Sequence, residues 1–283
     1  RKDGSSFNPG KLDYILYTDS VIELEKHFVL NALAIPETEL LEYGLLAEDT
    51  NIASDHLPRV MDIAETITES SVPIPNLEGW NLVGLPVIVE DPYYLSVFPN
   101  ATEGTLFSFT GTYTPGSDFI LGVGNWLHFH EENETAITGT IVSEITISLS
   151  QGWNLISGAS SSIDLNTVVD EDNLIVPGTV YAFEGNYVEA ESLDPGHGYW
   201  IMSTGEGEIT LSTTASMARR VISVKPKKIN TLSLGKQTLY FGATVLEKDV
   251  LSYSLPPKPP APARDIRFSG NTKLCTTDEC MIE

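Results

Sequence analysis

One short stretch of this chain combines residue types that could do chemistry: Ala53-Ser54-Asp55-His56-Leu57-Pro58. An acid and an imidazole stand side by side, with a small polar residue before them and an apolar residue and proline after. Histidine is the side chain whose ordinary pKa lets it exchange a proton near neutrality. A neighbouring carboxylate can fix its tautomer or help position a water. The bland alternative is a turn in which Asp55 bonds its own backbone. A second segment bears on that choice. Residues 11–17, KLDYILY, read as a strand with Leu12, Tyr14 and Leu16 on one face and Asp13, Ile15 and Tyr17 on the other. Asp13 is a carboxylate entering an apolar strand, where it needs a partner or a raised pKa. An imidazole from a neighbouring strand end would serve.

These side chains need elements to hold them. Residues 59–63 alternate apolar and polar, which predicts a short strand and puts His56 on the loop that feeds it. Residues 21–33 have helix-like or mixed periodicity. Residues 38–46 predict a short helix ending near Gly44 or Ala47. His27 reads as a surface histidine, because no second ligand stands at i+4. Glu37, Glu39, Glu42, Glu48 and Asp49 read as a solvated face.

KLDYILY followed some forty residues later by SDHLP resembles the last two core strands of the endonuclease/exonuclease/phosphatase superfamily. The resemblance covers roughly residues 1–64. It implies part of an α/β sandwich and hydrolysis of phosphodiesters or phosphomonoesters with a divalent metal, usually Mg2+. Position by position, His56 matches the catalytic histidine beside the scissile phosphate. Asp55 matches the adjacent acid near the metal and the attacking water, and Asp13 matches the acid that orients the histidine. The family's metal-binding glutamate and its asparagine and aspartate motifs belong further upstream. The expectation is therefore that these 283 residues hold the tail of a catalytic domain and do not hydrolyse a phosphodiester alone.

Composition limits the partners. The formal net charge is −23, from 16 basic and 39 acidic residues. Such a surface repels nucleic acid unless a basic patch or metal compensates. No apolar run is long enough to span a membrane. Cys275 and Cys280 could close a small disulfide loop, which would suit a secreted or cell-surface protein; the alternative is two free thiols.

Beyond residue 68 the chain repeats itself. Residues 69–78 read as a linker. Gly79-Trp80-Asn81-Leu82-Val83 returns as Gly152-Trp153-Asn154-Leu155-Ile156, and Gly122-Val123-Gly124-Asn125-Trp126 as Gly196-His197-Gly198-Tyr199-Trp200. Tyr113 returns as Tyr187. Matches this ordered indicate duplication, dividing the chain into a first β repeat at 79–147 and a second at 148–216. Each unit reads as short strands parted by glycine turns, closed by a strand at 135–140 or 208–212. Gly111 and Gly185 fit hairpin turns. The Gly-x-Gly before each second tryptophan is a turn or bulge, since no helix follows it. The tryptophans are either core filling for a small β unit or a platform for glycan or cell-surface contact. The repeats look like paired β modules of large secreted bacterial proteins. His128 and His130, with Glu131, Glu132 and Glu134, read as an exposed polar face or a metal site. His197 reads as turn surface.

Residues 217–283 read as a C-terminal β region, with strands at 238–242, 251–255 and from 265. Residues 256–262, PPKPPAP, form a stiff extended segment. Together these readings give a mainly β, multi-domain chain with a partial α/β sandwich piece at its front. Two function classes remain open: part of a secreted phosphoesterase or nuclease acting on a phosphate ester, or a non-enzymatic β-module protein.

Overall fold

The computed structural model describes residues 22–53, 59–65, 69–213, 230–242, 245–276 and 280–283. The chain is mainly β and divides into two compact units, Arg1–Ile67 and Thr68–Glu283.

In the first unit, β1 (Ile22–Val29) pairs antiparallel with β2 (Arg59–Glu65), from Ile22 opposite Glu65 to Val29 opposite Arg59. The helix-like or mixed reading of residues 21–33 is thus corrected: Ile22–Val29 form a strand and Ala32–Ala34 a 3-10 helix. The strand's mixed periodicity has a physical source: the register shifts between Leu24 and Lys26, leaving Glu25 as an extra residue that breaks the period of two. Among the described residues between the strands lie two short α-helices, α1 (Glu37–Glu42) and α2 (Asp49–Ala53). Gly44, just past α1, has φ +68°, the left-handed conformation that commonly ends a helix. The Asp49 carboxylate accepts from the Leu46 N–H at 2.7 Å ahead of α2. The Thr50 hydroxyl accepts from the Ala32 N–H at 3.2 Å and ties α2 back to the end of β1.

The second unit opens with a correction. Residues 69–76, read as linker, form β3 (Glu69–Asn76), paired antiparallel with the strand at 133–141. Serines and prolines hid it. Proline lacks a ladder donor, but β3 is an edge strand, where that loss is tolerated. The first repeat continues through β4 (Gly79–Val83), β5 (Val87–Ile88), the single-turn helix α3 (Tyr94–Val97), β6 (Phe107–Phe109), β7 (Tyr113–Pro115), β8 (Asn125–Phe129) and β9 (Asn133–Ile141). One sheet runs β3-β9-β5, the other β4-β8-β6-β7. The second repeat follows as β10 (Glu144–Leu149), β11 (Gly152–Ser157), β12 (Ile163–Asp164), β13 (Tyr181–Phe183), β14 (Tyr187–Glu189), β15 (Ser192–Leu193), β16 (Gly198–Ser203) and β17 (Gly207–Ser212). Its four-stranded sheet has the matching order β11-β16-β13-β14, while β10 pairs with β17. Each repeat therefore begins one strand before its Gly-Trp-Asn signature.

Both faces of each four-stranded sheet are covered. In β8, Leu127 and Phe129 turn into the first repeat's own core with Ile74, Val87 and Ile137. Trp126 turns the other way, into a cluster shared with Leu155, Tyr181, Phe183 and Trp200 of the second repeat. A strand buried on both faces reads as a nearly continuous apolar run, which accounts for NWLHF and YWIMS at equivalent places.

The C-terminal region carries β18 (Asn230–Leu234), β19 (Gln237–Phe241) and β20 (Leu274–Cys275), in one sheet of that order. Two strand readings are corrected here. Residues 247–253 form a 3-10 helix that buries Tyr253, with Glu247 and Asp249 in its first turn. From 265 to 272 the chain forms isolated bridges, as between Phe268 and Thr272, before β20 begins; Arg267 there is 1% exposed, its side chain turned inward to Asp265, Pro256 and Asn271.

Candidate functional site

Asp13, Asp55 and His56 lie outside the described residues. The described frame next to them is β2, whose first residue, Arg59, stands three positions after His56. On β1 the exposed His27, opposite Met61, places its Nε2 3.3 Å from the Arg59 guanidinium. Among the described residues no group of three or more His, Cys, Asp or Glu could hold a metal ion. His128 is engaged otherwise: its Nδ1 lies 2.9 Å from the Thr102 hydroxyl and its ring packs edge-on against Trp80 and His130.

The second unit brings its own constellation together. The two repeats meet about a pseudo-twofold axis, and several contacts occur twice with the partners exchanged. Val83 bridges His197, and its counterpart Ile156 bridges Val123. The Phe109 ring lies 4.7 Å from Trp200, and Phe183 lies 4.8 Å from Trp126. Such reciprocity is the mark of an isologous interface. The Gly-x-Gly motifs, read as turns, have this specific use. A Cβ at Gly124 would come within 2.4 Å of the Ile156 carbonyl oxygen, and one at Gly198 within 3.1 Å of that of Val83. Only glycine lets the strands cross so closely. On the axis Gly84 faces Ser157, the same position of each repeat, where a Cβ would meet the serine side chain at 2.2 Å. His197, read as turn surface, is instead part of this seam, and burial lowers its pKa.

The signature asparagines are latches. Asn81 Nδ2 donates to the Leu77 and Gly79 carbonyls while its Oδ1 accepts from the Leu77 N–H. Asn154 repeats all three bonds with Ser150 and Gly152. Trp126 and Trp200 are both 0% exposed and offer no stacking face. Trp80 and Trp153 are half-buried against Phe107 and Tyr181.

Over the shared aromatic cluster runs the proline-rich segment. Leu255 and Ala263 pack into the cluster. Tyr181 Oη donates to the Ser254 carbonyl at 3.1 Å, and Tyr187 Oη to Pro257 at 2.6 Å. Tyr113 Oη donates to Lys258 at 2.7 Å, and Trp80 Nε1 to Ala261 at 3.1 Å. Arg267 adds a bond to the Pro256 carbonyl at 2.8 Å. Burial pushes the Tyr113 phenol up to about 12 and those of Tyr181 and Tyr187 well above 10, so all three keep their protons and donate. Beside this seam, Lys273 Nζ, 2.6 Å from both the Tyr181 hydroxyl and Glu189, fastens the C-terminal sheet to the second repeat. Burial lowers its pKa and Glu189 opposes that shift. A cleft of about 580 Å³ lies alongside, bordered by Glu191, Lys236 and Tyr240. Cys275 and Cys280 are joined as a disulfide.

Sequence reading missed this seam because its partners are far apart in the chain; Trp80 and Ala261 are 181 positions apart. The usable signal was the stiff proline run together with paired aromatics at equivalent repeat positions. No family model, curated protein or solved structure matches the chain.

Proposed function

We propose that this chain carries the histidine-bearing end of a metal-dependent phosphoesterase of the endonuclease/exonuclease/phosphatase type, joined to a non-catalytic tandem β module. The supporting observation is the β1–β2 ladder. The strand that SDHLP feeds pairs along its whole length with the strand that follows KLDYILY. Water attacks phosphorus in this reading. His56 handles a proton or steadies the charged phosphate, and Asp13 fixes the imidazole's tautomer. Bound magnesium would supply Lewis-acid polarisation of the phosphoryl oxygen, with Asp55 as this chain's contribution to its site. The test uses a chain that also carries the family's glutamate-, asparagine- and aspartate-bearing strands. Its Mg2+-dependent hydrolysis of bis(p-nitrophenyl) phosphate should fall by roughly 10²–10⁴-fold in His56→Ala. Activity within about threefold of the parent would count against the assignment.

The disulfide supports a secreted or cell-surface setting, since such bonds persist in oxidising compartments. The β module is read as a rigid scaffold rather than a glycan platform, because Trp126 and Trp200 face inward. A glycan array probed with the full chain should show no saturable binding.

A further inference from the structure

We propose that the seam between the two repeats is a receptor for proline-rich segments, that residues 254–263 are its built-in ligand, and that a segment of this chemistry from a separate chain can take the same place. Five of the seven residues 256–262 are proline. Each proline removes a backbone N–H and leaves its carbonyl in need of a donor. The run turns at 260–262, where the Ala263 N–H is taken up by the Pro260 carbonyl at 3.0 Å. It thus presents acceptors almost alone.

The seam is the complement of that surface. Trp80 and Tyr113 come from the first repeat and Tyr181 and Tyr187 from the second, and each donates one hydrogen bond to a strap carbonyl. An indole N–H can only donate. An ordinary strand laid here would bring N–H groups that the indole cannot satisfy. Ring faces and side-chain donors reading a preformed, low-entropy proline backbone is a recurrent mode of peptide recognition. The four bonds to the repeats engage main-chain carbonyls, so they specify a backbone type rather than a particular side chain. Lys258, the one charged residue of the run, is turned to Glu283 instead, at 2.7 Å.

The test measures binding of a fluorescent peptide, SLPPKPPAPA, to the full chain by anisotropy. In the wild type the strap fills the seam, and its high effective concentration excludes the peptide. In a full-length variant with Pro257→Gly, Pro259→Gly and Pro260→Gly the seam is released, and the peptide should bind saturably and at least tenfold more tightly than to wild type. Adding Tyr113→Phe and Tyr187→Phe should weaken that binding tenfold or more, and a peptide with serine for proline should not bind. No saturable binding to a released chain with native near-UV circular dichroism would overturn the proposal, as would binding indifferent to the two hydroxyls. Should the released variant not fold, a second measurement decides. In the otherwise wild-type Tyr113→Phe/Tyr187→Phe chain, backbone order parameters at Lys258 and Ala261 should fall from about 0.85 to below about 0.6. Unchanged order there overturns the proposal equally.

Discussion

Asn81 and Asn154 show how much one side chain can carry. Each spans four residues of chain with three hydrogen bonds, and alanine would leave two carbonyls and one N–H without those partners. Loss of a hydrogen bond to a sheltered group costs about 1–3 kcal/mol. Asn81→Ala should therefore lower the unfolding free energy by about that much, read as a lower urea midpoint with m unchanged if unfolding stays two-state, and Asn154→Ala, whose bonds are more exposed, should cost less. His197 sets a pH dependence. Its folded pKa lies below the ordinary 6.5 because burial disfavours the imidazolium. In the window just below 6.5 the unfolded chain takes up the proton and the folded chain does not. Stability thus falls as pH is lowered through that window. The difference in urea midpoint between wild type and His197→Gln, followed from pH 7.5 to 5.5, should shrink or reverse toward the acid end.

Among elements, the crossing of β8 and β11 has little room to yield. A methyl group at Gly124 meets a backbone oxygen rather than a flexible side-chain tip. Gly124→Ala should cost about 1–3 kcal/mol or more and lower the midpoint of thermal unfolding accordingly. Gly198→Ala, with 3.1 Å to the equivalent oxygen, should cost less. The elements that sequence disclosed best were those whose pattern is local: the Gly-Trp-Asn-Leu strands, the hairpins at Gly111 and Gly185, the short helix ending at Gly44. Those it hid broke the local pattern for a nonlocal reason. β1 carries a bulge, β3 carries edge prolines, and the 3-10 helix at 247–253 is fixed by the burial of Tyr253. For the site, SDHLP and Asp13 supplied residue types and a resemblance, whereas the tyrosine-to-carbonyl seam needed tertiary structure to become visible.

Across the whole molecule, the seam binds repeats and C-terminal region into one unit by donors that titrate late. Tyr113, Tyr181 and Tyr187 have folded pKa values raised by burial, so above pH 10 the unfolded chain loses phenolic protons first. Stability should fall as pH rises from 10 towards 12. An ultraviolet titration should show these phenolates appearing together with unfolding rather than before it. Replacing Tyr113 and Tyr187 by phenylalanine should remove part of that alkaline slope.

Gly84 and Ser157 have one more consequence. They are the same residue of a duplicated ancestor, brought face to face where it once could have met itself in a self-paired assembly. Two copies of the later half would now force serine onto serine, and two copies of the earlier half would leave a hole. With the halves differing at that point, the earlier half fits the later one better than either fits a copy of itself.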